Sequence, residues 1–150
     1  MRATLKPGLR HCEQLQVDEL LTGRAASSGH LDTLPPVFAT AFMVAFIESA
    51  CVIALRPFLD ANERTVGTHI DVSHKAPATS RAGRIVSLDV ELVALDARRL
   101  RFAVLCRDAL DVIATGTHER VVIDLPTYLS RGSREQTISM SVSARWRGNA

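Results

Sequence analysis

Between Ala41 and Leu55 the chain carries only two polar residues, Glu48 and Ser49. At helical spacing that leaves every face apolar, and such a helix has to be enclosed on most sides rather than laid on a surface. The stretch from Val37 to Leu55 is nearly as long as a membrane span, but Glu48 stands close to its middle. Pro35-Pro36 open it and Arg56-Pro57 close it. A carboxylate at mid-bilayer is expensive, so the expectation is a helix over about Phe38 to Leu59 inside a soluble domain.

Downstream the hydrophobic period changes to two. In 64–75 one face reads Val66, Thr68, Ile70, Val72, His74; in 84–95 it reads Val86, Leu88, Val90, Leu92, Ala94. In 99–108 Leu100, Phe102, Val104 and Cys106 alternate with arginines, and 111–123 is strand-like but alternates less cleanly. Half-buried antiparallel strands give this pattern. Asp96-Ala97-Arg98 and Asp108 to Asp111 are hairpin-sized links, which predicts a meander of all four strands. Residues 11–17 suggest a short first strand, and 22–36, rich in Thr, Gly, Ser and Pro, a loop. One apolar helix with one antiparallel sheet predicts an α+β domain in which the sheet curls around the helix, the outline of a hotdog fold. Long sheet edges are usually covered by pairing, so a homodimer is expected.

The 150 residues suit one domain, and 47% apolar with 23% charged residues is globular composition. A net charge of +2 gives no field for a dedicated nucleic-acid binder. Cys12, Cys51 and Cys106 stand apart, with neither disulfide nor zinc spacing, so a reducing, cytoplasmic setting is expected. Met1 to Arg10 has no apolar signal core. The domain is expected to end at 124, with 125–150, rich in Ser and Arg, forming a tail that is mobile or docked on a partner.

Glu48 is the most informative single residue. Its neighbours three and four positions away, Val44, Ala45, Cys51 and Val52, are all apolar. Its own helix cannot stabilise the carboxylate, so the group is protonated, paired from elsewhere, or at the border of a wet pocket. Such carboxylates are candidates for base or nucleophile. His74 shares the inward parity of Ile70 and Val72, where a core histidine bonded to a backbone carbonyl is the ordinary alternative. His69 takes the outer parity. Thr40 opens the helix, most simply as an N-cap, and at about 1.5 Å per residue it sits roughly 12 Å from Glu48. Gly67 and Gly116 inside strand patterns suggest bulges or the close approach of another group. No HExxH, GxSxG, GxGxxG or phosphate-binding loop occurs, and the scattered arginines Arg81, Arg84, Arg98 and Arg99 mark no patch.

Four segments, PVFATAFMVAFIESAC (36–51), VGTHIDVSHKAPAT (66–79), DARRLRF (96–102) and ATGTHERVVI (114–123), resemble the fluoroacetyl-CoA thioesterase family of hotdog enzymes in order and spacing over about 35–124. The resemblance implies a homodimer that hydrolyses an acyl-CoA thioester with no metal or redox cofactor; on charge and on the interrupted apolar stretch, neither nucleic acid nor membrane is expected as a partner. It places catalytic roles on Thr40, Glu48 and His74, and substrate contacts on Gly67, Arg120, Leu31, Leu34 and Phe38. The segment HLDTLPPVFAT has Leu31 and Leu34 where the family carries two lid phenylalanines. Selectivity for the fluorinated two-carbon acyl group therefore does not follow. A hotdog hydratase or dehydratase, or a non-catalytic CoA-thioester binder, remains the alternative.

Overall fold

The computed structural model describes residues 1, 3–26, 34–78 and 84–131. Strand β1 (Arg10–Gln16) leads through a 3-10 turn and the short α1 (Gly23–Ala26) to the long helix α2 (Thr40–Leu55). Four strands follow: β2 (Glu63–His74), β3 (Ile85–Asp96), β4 (Arg99–Arg107) and β5 (Val112–Asp124). All pair antiparallel in one five-stranded sheet of order β1-β3-β4-β5-β2. The sheet wraps α2, giving the α+β arrangement expected of a hotdog domain.

The strands lie where the period-two pattern puts them, but the four-strand meander is corrected. Only β3, β4 and β5 run as a meander, and β2 pairs with β5 at the far edge of the sheet. The link from His74 to Ile85 is longer than a hairpin, and β3 begins on the far side of β4 and β5 from β2. At the Asp96–Arg99 hairpin the turn is tight enough to hold Ala97 at φ 50, in the left-handed region.

Helix α2 is shorter than the expected 38–59. Pro57 has no N–H to continue the ladder, and residues Arg56–Phe58 tighten into a 3-10 turn. At the other end Ala39 is the N-cap and offers no side-chain bond, so Thr40 is the first helical residue rather than the cap. The segment Thr40–Phe58 is long and apolar enough to cross a membrane on length and composition alone. Here it packs instead on the sheet: Met43, Ile47, Ala50, Cys51 and Leu55 are buried with Val86, Leu88, Val90, Leu92, Leu100, Phe102 and Val104. Complete enclosure is not achieved within one chain. Ala41, Ala45, Ser49, Val52 and Ile53 form an exposed stripe along the helix.

The first residues of the assumed tail are ordered. Residues 125–131 are helical, started by Asp124, whose Oδ1 accepts from the Thr127 N–H at 3.1 Å and from its hydroxyl at 2.6 Å. Pro126 lies in the first turn, where no N–H is required. The remainder of 125–150 lies outside the described residues.

Candidate active site

Two polar contacts tie α2 to β2. At the start of the helix, Thr40 Oγ1 and His74 Nδ1 share a hydrogen bond of 3.0 Å. Two turns further on, Glu48 points over Gly67. Between the two points stand Val44 on the helix and Ile70 and Val72 on the strand, all half-buried. The sequence parity of β2 holds from Ile70 to His74 but not before it. A bulge at Thr68, between the pairs Gly67–Arg120 and His69–Glu119, shifts the register. It turns Gly67 inward, where the uniform alternation puts Val66 and Thr68.

That inward turn matters because Gly67 leaves a space. A Cβ built there would overlap Glu48 Oε1 and stand 3.0 Å from His118 Cε1. The carboxylate therefore lies in the gap left by the missing side chain. Gly116, the other strand glycine, has a different cause: a Cβ there would run into the backbone of Asp71 and Val72.

The charge of Glu48 is met from β5, not from its own helix. Oε2 accepts from Arg120 Nη1 in an ion pair, and Oε1 lies 3.5 Å from His118 Nε2. The Glu48 side chain is 40% exposed whereas Arg120 and His118 are 2% and 1%. So one side of the carboxylate is clamped and the other is open. Arg120 is fully engaged: Nε donates to Thr65 Oγ1 at 3.0 Å, Nη2 to the Thr65 carbonyl at 2.9 Å, and Nη1 also reaches His118 Nε2 at 2.9 Å. A buried guanidinium held this way fixes the direction of its carboxylate partner. His118 Nδ1 donates to the His69 carbonyl at 2.9 Å. Burial holds the His118 pKa below its ordinary value; the His69 carbonyl and Glu48 oppose that shift and Arg120 adds to it. Cys51, one turn from Glu48, is buried and its thiol is pushed up to about 12, chiefly by desolvation, so it stays protonated and inert.

Of the residues singled out from sequence, the structure joins Thr40 to His74 and sets Glu48 with Gly67 and Arg120, as two neighbouring groups rather than one triad. Arg120, expected against substrate, is buried against Glu48. Phe38, expected likewise, is 0% exposed within the core, its N–H bonded to the Ala78 carbonyl at 2.8 Å. Leu34 is 38% exposed beside Gly23, and Leu31 lies outside the described residues. His118 was not singled out. Its signal was the broken alternation of β5, where 114, 116, 118, 120 and 122 face inward and two of them are polar.

No group of three or more His, Cys, Asp or Glu among the described residues is arranged to hold a metal ion. A cavity of about 630 Å³ opens elsewhere, across β1, β3 and β4. Its charges are already matched, Arg10 with Glu91 at 3.0 Å and Arg107 with Asp89 at 3.1 Å, so it lacks the free polar groups of a reaction centre.

The sequence profile of the FlK family, described as fluoroacetyl-CoA-specific thioesterase, matches residues 19–125. The fluoroacetyl-CoA thioesterase of Streptantibioticus cattleyicolor is 44% identical over 94 residues. That stretch takes in 63% of this chain and 66% of the relative, just under two thirds of its length. A crystal structure of the fluoroacetyl-CoA thioesterase FlK superimposes with a TM-score of 0.80 at 36% identity, covering 87% of this chain and 96% of the other. A mutant of that enzyme in complex with fluoroacetate and CoA gives 0.78 at 36% identity, covering 83% and 99%. A thioesterase-superfamily protein of Thermus thermophilus, at 23% identity, gives a TM-score of 0.82 with 93% and 98% covered, and shares the fold.

Proposed function

The chain belongs to the fluoroacetyl-CoA-specific thioesterase family, and from that membership we propose that it is a soluble, cytoplasmic acyl-CoA thioesterase. It takes a short-chain acyl-CoA and water to the free acid and CoA thiol. The observation that carries the reading is Glu48: a carboxylate on an otherwise apolar helix, clamped on one side by a buried arginine and open on the other.

Within one chain Thr40–His74 and Glu48 stand two helical turns, roughly 12 Å, apart, so one thioester carbonyl meets both only where a second copy brings its Glu48 to the entrance of α2. The helix start has no side-chain cap, so the first-turn N–H groups, with the backbone at Gly67, are available to the developing oxyanion. Glu48 attacks the carbonyl carbon or orients the water that does. Arg120 supports it as a positioning residue rather than a substrate contact. His74, held by Thr40, protonates the departing thiolate and manages the proton of the incoming water. The half-buried Val44, Ile70 and Val72 offer apolar surface for a short acyl chain. Leu34 stands on the approach to the helix, and leucine in place of the family's lid phenylalanine leaves the choice of short acyl group open, fluoroacetyl included.

We further propose a homodimer. Strand β2 is an unpaired edge of 12 residues, and the exposed apolar stripe of α2 runs beside it. A second copy covers both and closes the open side of Glu48.

The test is release of free CoA thiol from a panel of short-chain acyl-CoAs, with Glu48→Gln as control. Thiol release that disappears in the variant supports the proposal. Absence of release across the panel, or hydration of an enoyl-CoA in its place, overturns it.

A further inference from the structure

We propose that His118 is a positioning residue for the hydrolytic site: as a neutral ring it accepts a hydrogen bond from Arg120 and so aims the guanidinium that holds Glu48. The inference rests on the thioesterase reading above and extends it to a residue outside the catalytic group.

The two partners of the ring define its protonation. Nδ1 is 2.9 Å from the His69 carbonyl, which can only accept, so Nδ1 carries the proton. Nε2 is 2.9 Å from Arg120 Nη1, which can only donate, so Nε2 must present its lone pair. One tautomer satisfies both, and it is uncharged. The surroundings favour that state: the ring is 1% exposed, lies across from Ile70 of β2 and Phe102 of β4, and has an arginine against Nε2. Burial lowers the ring's pKa in agreement with this geometry.

The charged and titratable groups around it come from three elements. Helix α2 supplies Glu48, with Oε1 3.5 Å from Nε2, and Cys51, whose thiol remains protonated. Strand β5 supplies Arg120, and β2 supplies only the His69 carbonyl. Protonation of Nε2 turns its lone pair into an N–H facing another N–H. The contact to Arg120 is then repulsive, and Glu48 Oε1 becomes the nearest acceptor. The carboxylate is drawn toward the ring and out of the direction in which Arg120 holds it. His118 protonation therefore contributes an acidic limb to kcat that does not depend on His74.

Two substitutions separate positioning from mere packing. In His118→Asn the side-chain amide can still donate to the His69 carbonyl but leaves Arg120 without its acceptor. In His118→Gln the side-chain carbonyl can replace the Nε2 acceptor and does not titrate. With the fastest-turning acyl-CoA of the thiol-release panel, assayed from pH 5 to 9, His118→Asn is expected to lose kcat by about 10- to 100-fold with KM within about twofold. His118→Gln is expected to retain kcat at pH 8 within about threefold while its acidic limb flattens. Wild-type kcat in a folded His118→Asn protein, or an unchanged acidic limb in His118→Gln, overturns the proposal. Ring nitrogen NMR of the wild-type protein provides a readout independent of turnover and of variant folding. A neutral ring at pH 6.5 with its proton on Nδ1 supports the assignment, and a charged ring or a proton on Nε2 overturns it. Failure of the wild-type protein to release thiol removes the thioesterase reading, whereas the NMR result still decides the state of His118.

Discussion

The carboxylate of Glu48 occupies the volume that a side chain at Gly67 would fill. The need for glycine at this point is steric, not conformational, since its backbone is ordinary strand. Gly67→Ala is therefore expected to push Glu48 off Arg120. Displacements of about 1 Å commonly cost about 100-fold in rate, so kcat should fall by about that factor while the circular dichroism spectrum stays that of the wild type. Steady-state kinetics of Gly67→Ala with the best acyl-CoA checks this. Near-wild-type kcat would mean that the carboxylate can relocate without loss.

Glu48→Gln keeps the shape of the side chain and removes its charge. Turnover should drop by at least about three orders of magnitude, the range seen when a nucleophile or essential base is lost. The substitution also leaves the guanidinium of Arg120, 2% exposed, without its counter-charge. Uncompensated buried charge is destabilising, although the open side of Glu48 lets water share the load. A modest fall in Tm alongside the loss of activity is expected. A paired calorimetric and kinetic measurement tests both, and unchanged turnover removes Glu48 from the mechanism.

Much of this was legible in the chain, and the missing parts have physical causes. The helix and the strands β2 to β5 follow from hydrophobic period, whereas β1, mostly polar, gave only a faint alternation. Glu48 stands out because its helical neighbours are all apolar. Its partner was harder to see, since Arg120 and His118 are polar residues on the core side of β5, and burial of polar groups works against the pattern that reveals a strand. The bulge at Thr68 reverses which residues of β2 face inward, and period-two counting assumes no bulge. Strand order was misjudged where the link after His74 allowed two pairings and sequence adjacency favoured the wrong one. The separation of Thr40 from Glu48 was legible in their eight-residue spacing, whereas which strand residues meet each of them depends on how α2 crosses the sheet, which spacing along either element does not encode.

The lowered pKa of buried His118 makes stability pH-dependent in a definite direction. The unfolded chain takes up this proton near the ordinary histidine value of about 6.5, whereas the folded chain resists it until lower pH. Between those two values the unfolded state binds more protons, so folding stability rises with pH. The His118 contribution is present in full above about pH 6.5 and is lost progressively as pH falls toward the folded-state pKa. Denaturant midpoints measured from pH 7.5 to 5 should decline, and the decline should be smaller in His118→Gln. Equal declines in both proteins would show that other groups control the acid response.

Ala97 offers a stabilising change remote from the site. Its φ of 50 places an L-residue in left-handed backbone, a conformation that costs roughly 1–2 kcal/mol outside glycine. Glycine removes that cost but loses about 0.5–1 kcal/mol to the greater freedom of the unfolded chain. Ala97→Gly should therefore gain up to about 1.5 kcal/mol, visible as a Tm increase of a few degrees for a domain of this size. kcat should be unaltered. A fall in Tm would place some unrecognised demand on the Ala97 side chain.

The exposed stripe on α2 allows the proposed dimer to be tested without touching the reacting groups. Ile53 is 42% exposed and Val52 41%, on a helix whose composition calls for cover on nearly every side. Ile53→Glu places a carboxylate on that stripe, one turn from Arg56, where it is comfortable in water but costly inside an apolar interface. The variant should fold, because Ile53 makes no part of the buried core, yet light scattering should give the mass of a single chain. Since the open side of Glu48 lies along the same helix, separation of the copies should also abolish thiol release. A dimeric and active Ile53→Glu protein would place the interface elsewhere. A monomeric variant with full activity would show that one chain suffices to shield the thioester.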